Sequence, residues 1–193
     1  VRDIYNAECS KKKVIVDRMR SVIDLYGYNG IETPTFEFFD IFDSEKGSVE
    51  TKELFKFFDR DGNILVLRPD MTPSIARCAV KYYTEEDMPL RLSYVGNTFI
   101  NNLNYQGRLK ETTQIGAELI GDDSVAADAE IIAIVINIML KSGISEFQVD
   151  IGQVDYFKGL IAEAELDSTT AENLRKLIQE KNYFGVEELL DSS

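Results

Sequence analysis

Gln114 and Glu118 flank Gly116 at equal spacing in the run Thr112-Thr113-Gln114-Ile115-Gly116-Ala117-Glu118-Leu119. The alternation reads as a strand, whose side chains project to opposite faces. Thr113, Ile115, Ala117 and Leu119 form a core face. Thr112, Gln114, Gly116 and Glu118 form the other, which holds an amide and a carboxylate and no apolar residue. Such a face suits the wet side of an antiparallel sheet. It suits equally a platform on which a ligand lies, the glycine leaving room for it. A second carboxylate, Asp70, stands just before Thr72-Pro73. That pair reads as a helix start, with threonine at the N-cap and proline at the first helical position. Asp70 either favours the helix N-terminus electrostatically or receives the ammonium group of a ligand.

The elements that must position these residues follow from periodicity. Ile15, Met19, Val22, Ile23 and Tyr26 recur at helical spacing, with Gly27 at C′. Ile31 to Phe38 is extended, because Pro34 disfavours helix at Thr33; Phe39 to Glu50 is irregular. Leu54 to Leu67 reads as a hairpin with a type I′ turn at Asp61-Gly62. Leu90, Leu92 and Tyr94 alternate with Arg91 and Ser93 as a strand, and Asn101 to Gly107 is a loop. Asp122-Asp123-Ser124 caps an apolar helix with Ala127, Ile131, Val135 and Ile138 as its buried stripe and Gly143 as its end. Phe147 to Ile151 reads as a last strand. Helical segments follow at Phe157–Ala164, Thr170–Glu180 and Phe184–Leu190, with Ser168 as a cap. The expectation is an α+β fold, an antiparallel sheet with flanking helices over residues 1–158, then a helical appendage over 159–193.

Composition excludes several functions. The 193 residues carry a net charge of −13, which argues against broad contact with a nucleic-acid backbone. The chain has no histidine, so histidine-based catalysis and histidine metal sites are excluded. Cys9 and Cys78 give neither a disulfide framework nor metal-ligand spacing, and a reduced, cytoplasmic setting is the expectation. The apolar stretch Ile131–Leu140 is too short to span a bilayer, so no membrane association is expected. No cofactor motif is present. A start at Val1 and a polar end read as a piece of a longer chain.

Several segments, in order, resemble the histidyl-tRNA synthetase family of class II aminoacyl-tRNA synthetases. VRDIYNAE resembles its opening, and GYNGIETPTFEFFDIF its first signature, with Pro34 as the interface proline. LVLRPDMTPSIAR resembles its LRPE-x-T segment. RLSYVGNTFINNLNYQGRLKETTQIGAELIG resembles its second signature. The form RPDMTPSIAR, and DIGQVDYFKGLIAEAEL after it, are more similar to the non-catalytic branch: the regulatory subunit of short-form ATP phosphoribosyltransferase, which starts histidine biosynthesis.

The resemblance implies a class II catalytic-core fold, incomplete at its C-terminal end, because a ring-contacting segment and the third signature lie further on in the synthetases. It implies that Asp70, Thr72 and Gln114 hold the α-ammonium group of free histidine and that Glu118 bonds its imidazole. Two carboxylates and an amide suit that cation and ring N–H. Gln114 and Glu118 lie about 13 Å apart at ~3.3 Å per residue, which suits a ligand lying along the strand with Gly116 beneath its middle. The ligand carboxylate needs a donor; the sequence offers Arg108 or Arg77 without choosing, and Arg108 is included with the candidate site. The ATP supports of the synthetases depart: Phe99-Ile100-Asn101-Asn102 stands where they have Phe-Arg-x-Glu, Thr112 where they have an adenine-stacking phenylalanine, and Lys110 where they have a second arginine. Ile100 cannot neutralise a developing phosphate charge. The implied function is a regulatory, histidine-sensing subunit without chemistry of its own, needed for activity of a catalytic phosphoribosyltransferase subunit. The alternatives are a fragment of a synthetase and a plain interaction module that kept the fold and lost the pocket. A homodimer through the helix near residues 12–26 and the strand at 31–36 is also implied.

Overall fold

The computed structural model of the chain describes residues 2–42, 49–101, 109–179 and 181–191. It divides into two compact units, Val1–Phe147 and Gln148–Ser193. The boundary expected at 158/159 falls inside a helix of the second unit, Val154–Glu163.

The first unit is built on two three-stranded sheets. Its elements are α1 (Asn6–Leu25), β1 (Asn29–Gly30), β2 (Phe36–Phe38), β3 (Lys56–Phe58), β4 (Ile64–Leu67), α2 (Thr72–Tyr82), β5 (Leu90–Phe99), β6 (Glu111–Ile120) and α3 (Val125–Lys141). In one sheet β5 is central. It pairs antiparallel with β6 over ten residues each, Tyr94 opposite Gly116, and parallel with the short β1. In the other, β4 is central, antiparallel to β2 and β3.

The alternation along β5 and β6 sorts the packing as a strand period of two requires. On one side, Leu90, Leu92 and Tyr94 are buried with Met71, Ile75 and Ala79 of the α2 segment. On the other, Ile115, Ala117 and Leu119 pack with Ile23 of α1 and Ile134 of α3. The stripe of α3 is corrected at one position. Ile134 is buried, whereas Val135 is 43% exposed, since Ala127, Ile131, Ile134 and Ile138 keep the four- and three-residue steps of one helix face. Ser124 caps α3 as expected, its Oγ accepting from the Ala127 N–H at 3.2 Å.

Other expectations change. The hairpin between β3 and β4 turns through five residues, 59–63. Gly62 has φ +85° and Asp61 is not in the left-handed region, so this is not the two-residue type I′ turn, which needs positive φ at both central positions. Asp59 organises it, its Oδ1 accepting from the N–H groups of Asp61 and Asn63. Phe147 to Ile151 forms no strand. Its alternation has no paired neighbour, and Ile151 is 73% exposed.

The second unit holds α4 (Val154–Glu163), α5 (Ser168–Gln179) and α6 (Tyr183–Asp191). The cap of α5 is Asp167, which accepts from the Thr169 and Thr170 N–H groups, and not Ser168. A carboxylate suits this place because it meets the orphan N–H groups and the positive helix end together.

Arg68 joins the two sheets at the end of β4. It is 6% exposed. Its guanidinium donates to the carbonyls of Asn97 at 2.8 Å, Thr33 at 2.7 Å and Pro34 at 3.2 Å. Gly96 is required beside it, because a Cβ there would come within 2.6 Å of Arg68 Nη2.

Candidate functional site

The turn between β4 and α2 places Asp70 and Thr72 against the α2-facing side of β6. Thr72 does not cap α2: the cap position is Met71, whose own side chain makes no capping bond. Its hydroxyl donates instead to Glu118 Oε1 at 2.8 Å. Asp70 Oδ1 accepts from the Met71 N–H at 2.7 Å and from Gln114 Nε2 at 3.2 Å. Asp70 therefore steadies the start of the helix segment and faces the strand at once. Four sequence-predicted residues, Asp70, Thr72, Gln114 and Glu118, are thus brought together in two bonded pairs.

Gly116 has a different use from the one expected. Tyr94 stands opposite it across the strand pair, and a Cβ on Gly116 would overlap the Tyr94 hydroxyl and ring. The space above the glycine belongs to Tyr94, so a ligand cannot lie flat on the strand over Gly116 while that ring is in place. Tyr94 is a site residue that periodicity placed only on a strand. A buried tyrosine needs a partner for its hydroxyl, but its register opposite Gly116 is set by the strand pairing and left no signal in the sequence.

The electrostatics of the cluster are set by burial. The Glu118 carboxyl is held above its ordinary value, first by desolvation and then by the nearby Asp70 charge, against the opposing hydrogen bonds of Thr72 and Tyr94. The Tyr94 hydroxyl is pushed up to about 12, by burial first and then by the charges of Glu118 and Asp70, so it stays protonated and able to donate. Among the described residues neither Asp70 nor Glu118 has an ion-pair partner. Gln114 Oε1 is a buried acceptor without a hydrogen bond. Carboxylates accept about four hydrogen bonds each, and these two receive fewer. The arrangement can therefore take a cationic donor such as an ammonium group.

Among the described residues of this cluster there is no cationic donor for an anionic ligand group. Arg77 is committed to Glu37, with Nη2 and Oε1 2.6 Å apart. Arg108 lies outside the described residues, as do Asn102 and most of the expected loop. At the far end of the sheet, Thr112 shares a hydrogen bond with Thr98, Oγ1 to Oγ1 at 3.0 Å, and Lys110 Nζ donates to Asn101 Oδ1 at 2.8 Å. Among the described residues no group of three or more acidic or cysteine side chains is placed to hold a metal ion, and no helix is long and apolar enough to cross a membrane.

A family model described as histidyl-tRNA synthetase matches residues 1–193. A relative from Acetivibrio thermocellus named ATP phosphoribosyltransferase regulatory subunit is 46% identical over 191 residues, covering 99% of this chain and 46% of that one. A crystal structure of an ATP phosphoribosyltransferase regulatory subunit/histidyl-tRNA synthetase from Bacillus halodurans C superposes with a TM-score of 0.90 at 39% identity, covering 100% of this chain and 50% of that one. Apo histidyl-tRNA synthetase from S. aureus is similar with a TM-score of 0.62 at 27% identity, over 75% of this chain and 39% of that one. The chain spans about half the length of the curated relatives it matches.

Proposed function

Since the chain belongs to the histidyl-tRNA synthetase family, we propose that it is part of a regulatory subunit of ATP phosphoribosyltransferase that binds free histidine for feedback control and supports a catalytic partner subunit. The names of its relatives favour the regulatory role. The observation that carries histidine binding is the uncompensated pair Asp70 and Glu118, joined to Gln114 with its unbonded buried oxygen. Asp70 and Gln114 take the ammonium group; Glu118, steadied by Thr72 and Tyr94, accepts the ring N–H. Because Tyr94 covers Gly116, the ligand sits beside that ring and not along the strand axis. Arg108 remains the candidate for the ligand carboxylate. The protein works in the cytoplasm as a homodimer through α1 and the segment at 31–36.

The same reading removes synthetase chemistry. Ile100 offers no charge to an ATP phosphate, and Thr112 bonds Thr98 where the resemblance places adenine stacking. Histidine-dependent exchange between ATP and pyrophosphate is therefore expected to be absent. Exchange at synthetase-like rates would overturn the regulatory assignment.

The direct test is calorimetric titration of histidine, and of an isostere lacking the ring N–H, into the wild type, Glu118→Gln and Asp70→Asn. A charge-assisted bond contributes roughly 1.5–3 kcal/mol, so Glu118→Gln should weaken histidine binding about tenfold to a hundredfold. It should leave the isostere nearly unchanged, whereas Asp70→Asn should weaken both alike. Equal losses for both ligands on changing Glu118 would show that it does not read the ring.

A further inference from the structure

The α1-facing side of the same strand pair holds a second feature, independent of the histidine site. A cavity of about 490 Å³ opens between α1, the N-terminal segment and the far end of β6; its described lining includes Arg2, Lys12 and Lys110 and one carboxylate, Glu111. Among the described residues, three cations to one acid is a local reversal in a chain of net charge −13. The partners of these cations matter more than their number. Lys12 is half-buried, yet its ammonium donates to the neutral Thr113 hydroxyl and, among the described residues, to no carboxylate. Thr113 passes that bond on to Asn97 Oδ1 at 2.9 Å, and Asn97 Nδ2 satisfies Glu111 at 2.7 Å. The one acid of the cavity is thus bonded to an amide and pairs with none of the three cations. Arg2 pairs with Glu8, but both side chains are about half exposed, and such a surface pair is held weakly. Lys110 likewise has an amide oxygen as its partner.

A half-buried ammonium fixed in place by a neutral hydroxyl, lining one cavity with a guanidinium in a weak pair, has the charge and donors that an oxyanion needs. A singly charged carboxylate would satisfy only one of the two cations. A phosphate brings two charges and three or more acceptor oxygens, enough to meet Lys12 and Arg2 together. We propose that this cavity binds a small phosphate-bearing molecule, with Lys12 and Arg2 as its charge contacts. The apolar rim, Ile4 at 37% and Leu109 at 43% exposure, would cover the organic part of such a molecule.

The probe is inorganic pyrophosphate, titrated by calorimetry into the full chain at matched ionic strength. Lys12→Gln keeps a donor for Thr113 and should weaken binding at least tenfold. Arg2→Gln, at an exposed position, should weaken it by about threefold, because its charge is shared with Glu8. Raising sodium chloride should weaken wild-type binding steadily, as screening of half-exposed charges requires. Absence of binding at millimolar pyrophosphate would overturn the proposal. Wild-type affinity in both variants would overturn it equally.

Discussion

The two faces of the β5–β6 pair carry opposite surpluses of charge. Toward α2, Asp70 and Glu118 are satisfied only by neutral donors: a backbone N–H, an amide and hydroxyl groups. Toward α1, Lys12 is satisfied only by a hydroxyl. Adjacent residues of one strand feed both sides, Gln114 and Glu118 one way and Thr113 the other. Complementary groups therefore stand on opposite sides of the sheet and cannot neutralise each other by contact. Each is held by dipoles that fix its position without consuming its charge. A net charge averaged over the chain hides this arrangement.

Gly116→Val is the strongest way to break the comparison. The added side chain would drive into Tyr94, and overpacking of this kind costs about 1–3 kcal/mol. The urea midpoint should fall accordingly with an unchanged slope, and histidine binding should be lost because Tyr94 no longer steadies Glu118. Pyrophosphate binding on the other face should persist in the folded variant. Joint loss of both would show that the faces are not independent.

The smaller effect is on pH dependence. Glu118 has a folded-state pKa raised above the ordinary carboxylate value near 4.5. Over the interval from that value up to the raised one, the folded chain holds more proton than the unfolded chain. Stability from this group is therefore present at low pH and falls as pH rises through the raised value. Other carboxylates, such as Asp59 and Asp167, are shifted downward and tilt the total the other way. The difference in unfolding free energy between wild type and Glu118→Gln isolates the group. It should move against the wild type as pH rises through that interval; a flat difference would mean that Glu118 is as well solvated in the fold as in the unfolded chain.

Much of this was legible from strand alternation. The odd face of β6 was readable because an amide and a carboxylate recur where a core residue could stand, and the opposite face was readable as core. The helix start at Thr72-Pro73 was readable from proline, although the threonine hydroxyl went to Glu118. What stayed hidden depends on pairing between distant segments. Register across β5 and β6 decides that Gly116 serves Tyr94, and no local pattern carries that register. The commitment of Arg77 to Glu37 joins residues forty positions apart and is equally invisible along the chain. The strand expected at Phe147–Ile151 failed for the same reason, since alternation supplies a face and not a neighbour.

Arg68 has a mechanical consequence for this architecture. A ladder of backbone bonds frays one rung at a time, but the junction between the two sheets relies heavily on one guanidinium gripping Asn97, Thr33 and Pro34. Lysine has no planar fork with which to hold three carbonyls. Removing that side chain would leave carbonyls on both sides of the join without their donor at once, although the Arg68 backbone still bonds Thr35 and Phe99. Asp70 lies two residues beyond it, so the footing of the carboxylate depends on a side chain anchored outside its own strand and helix.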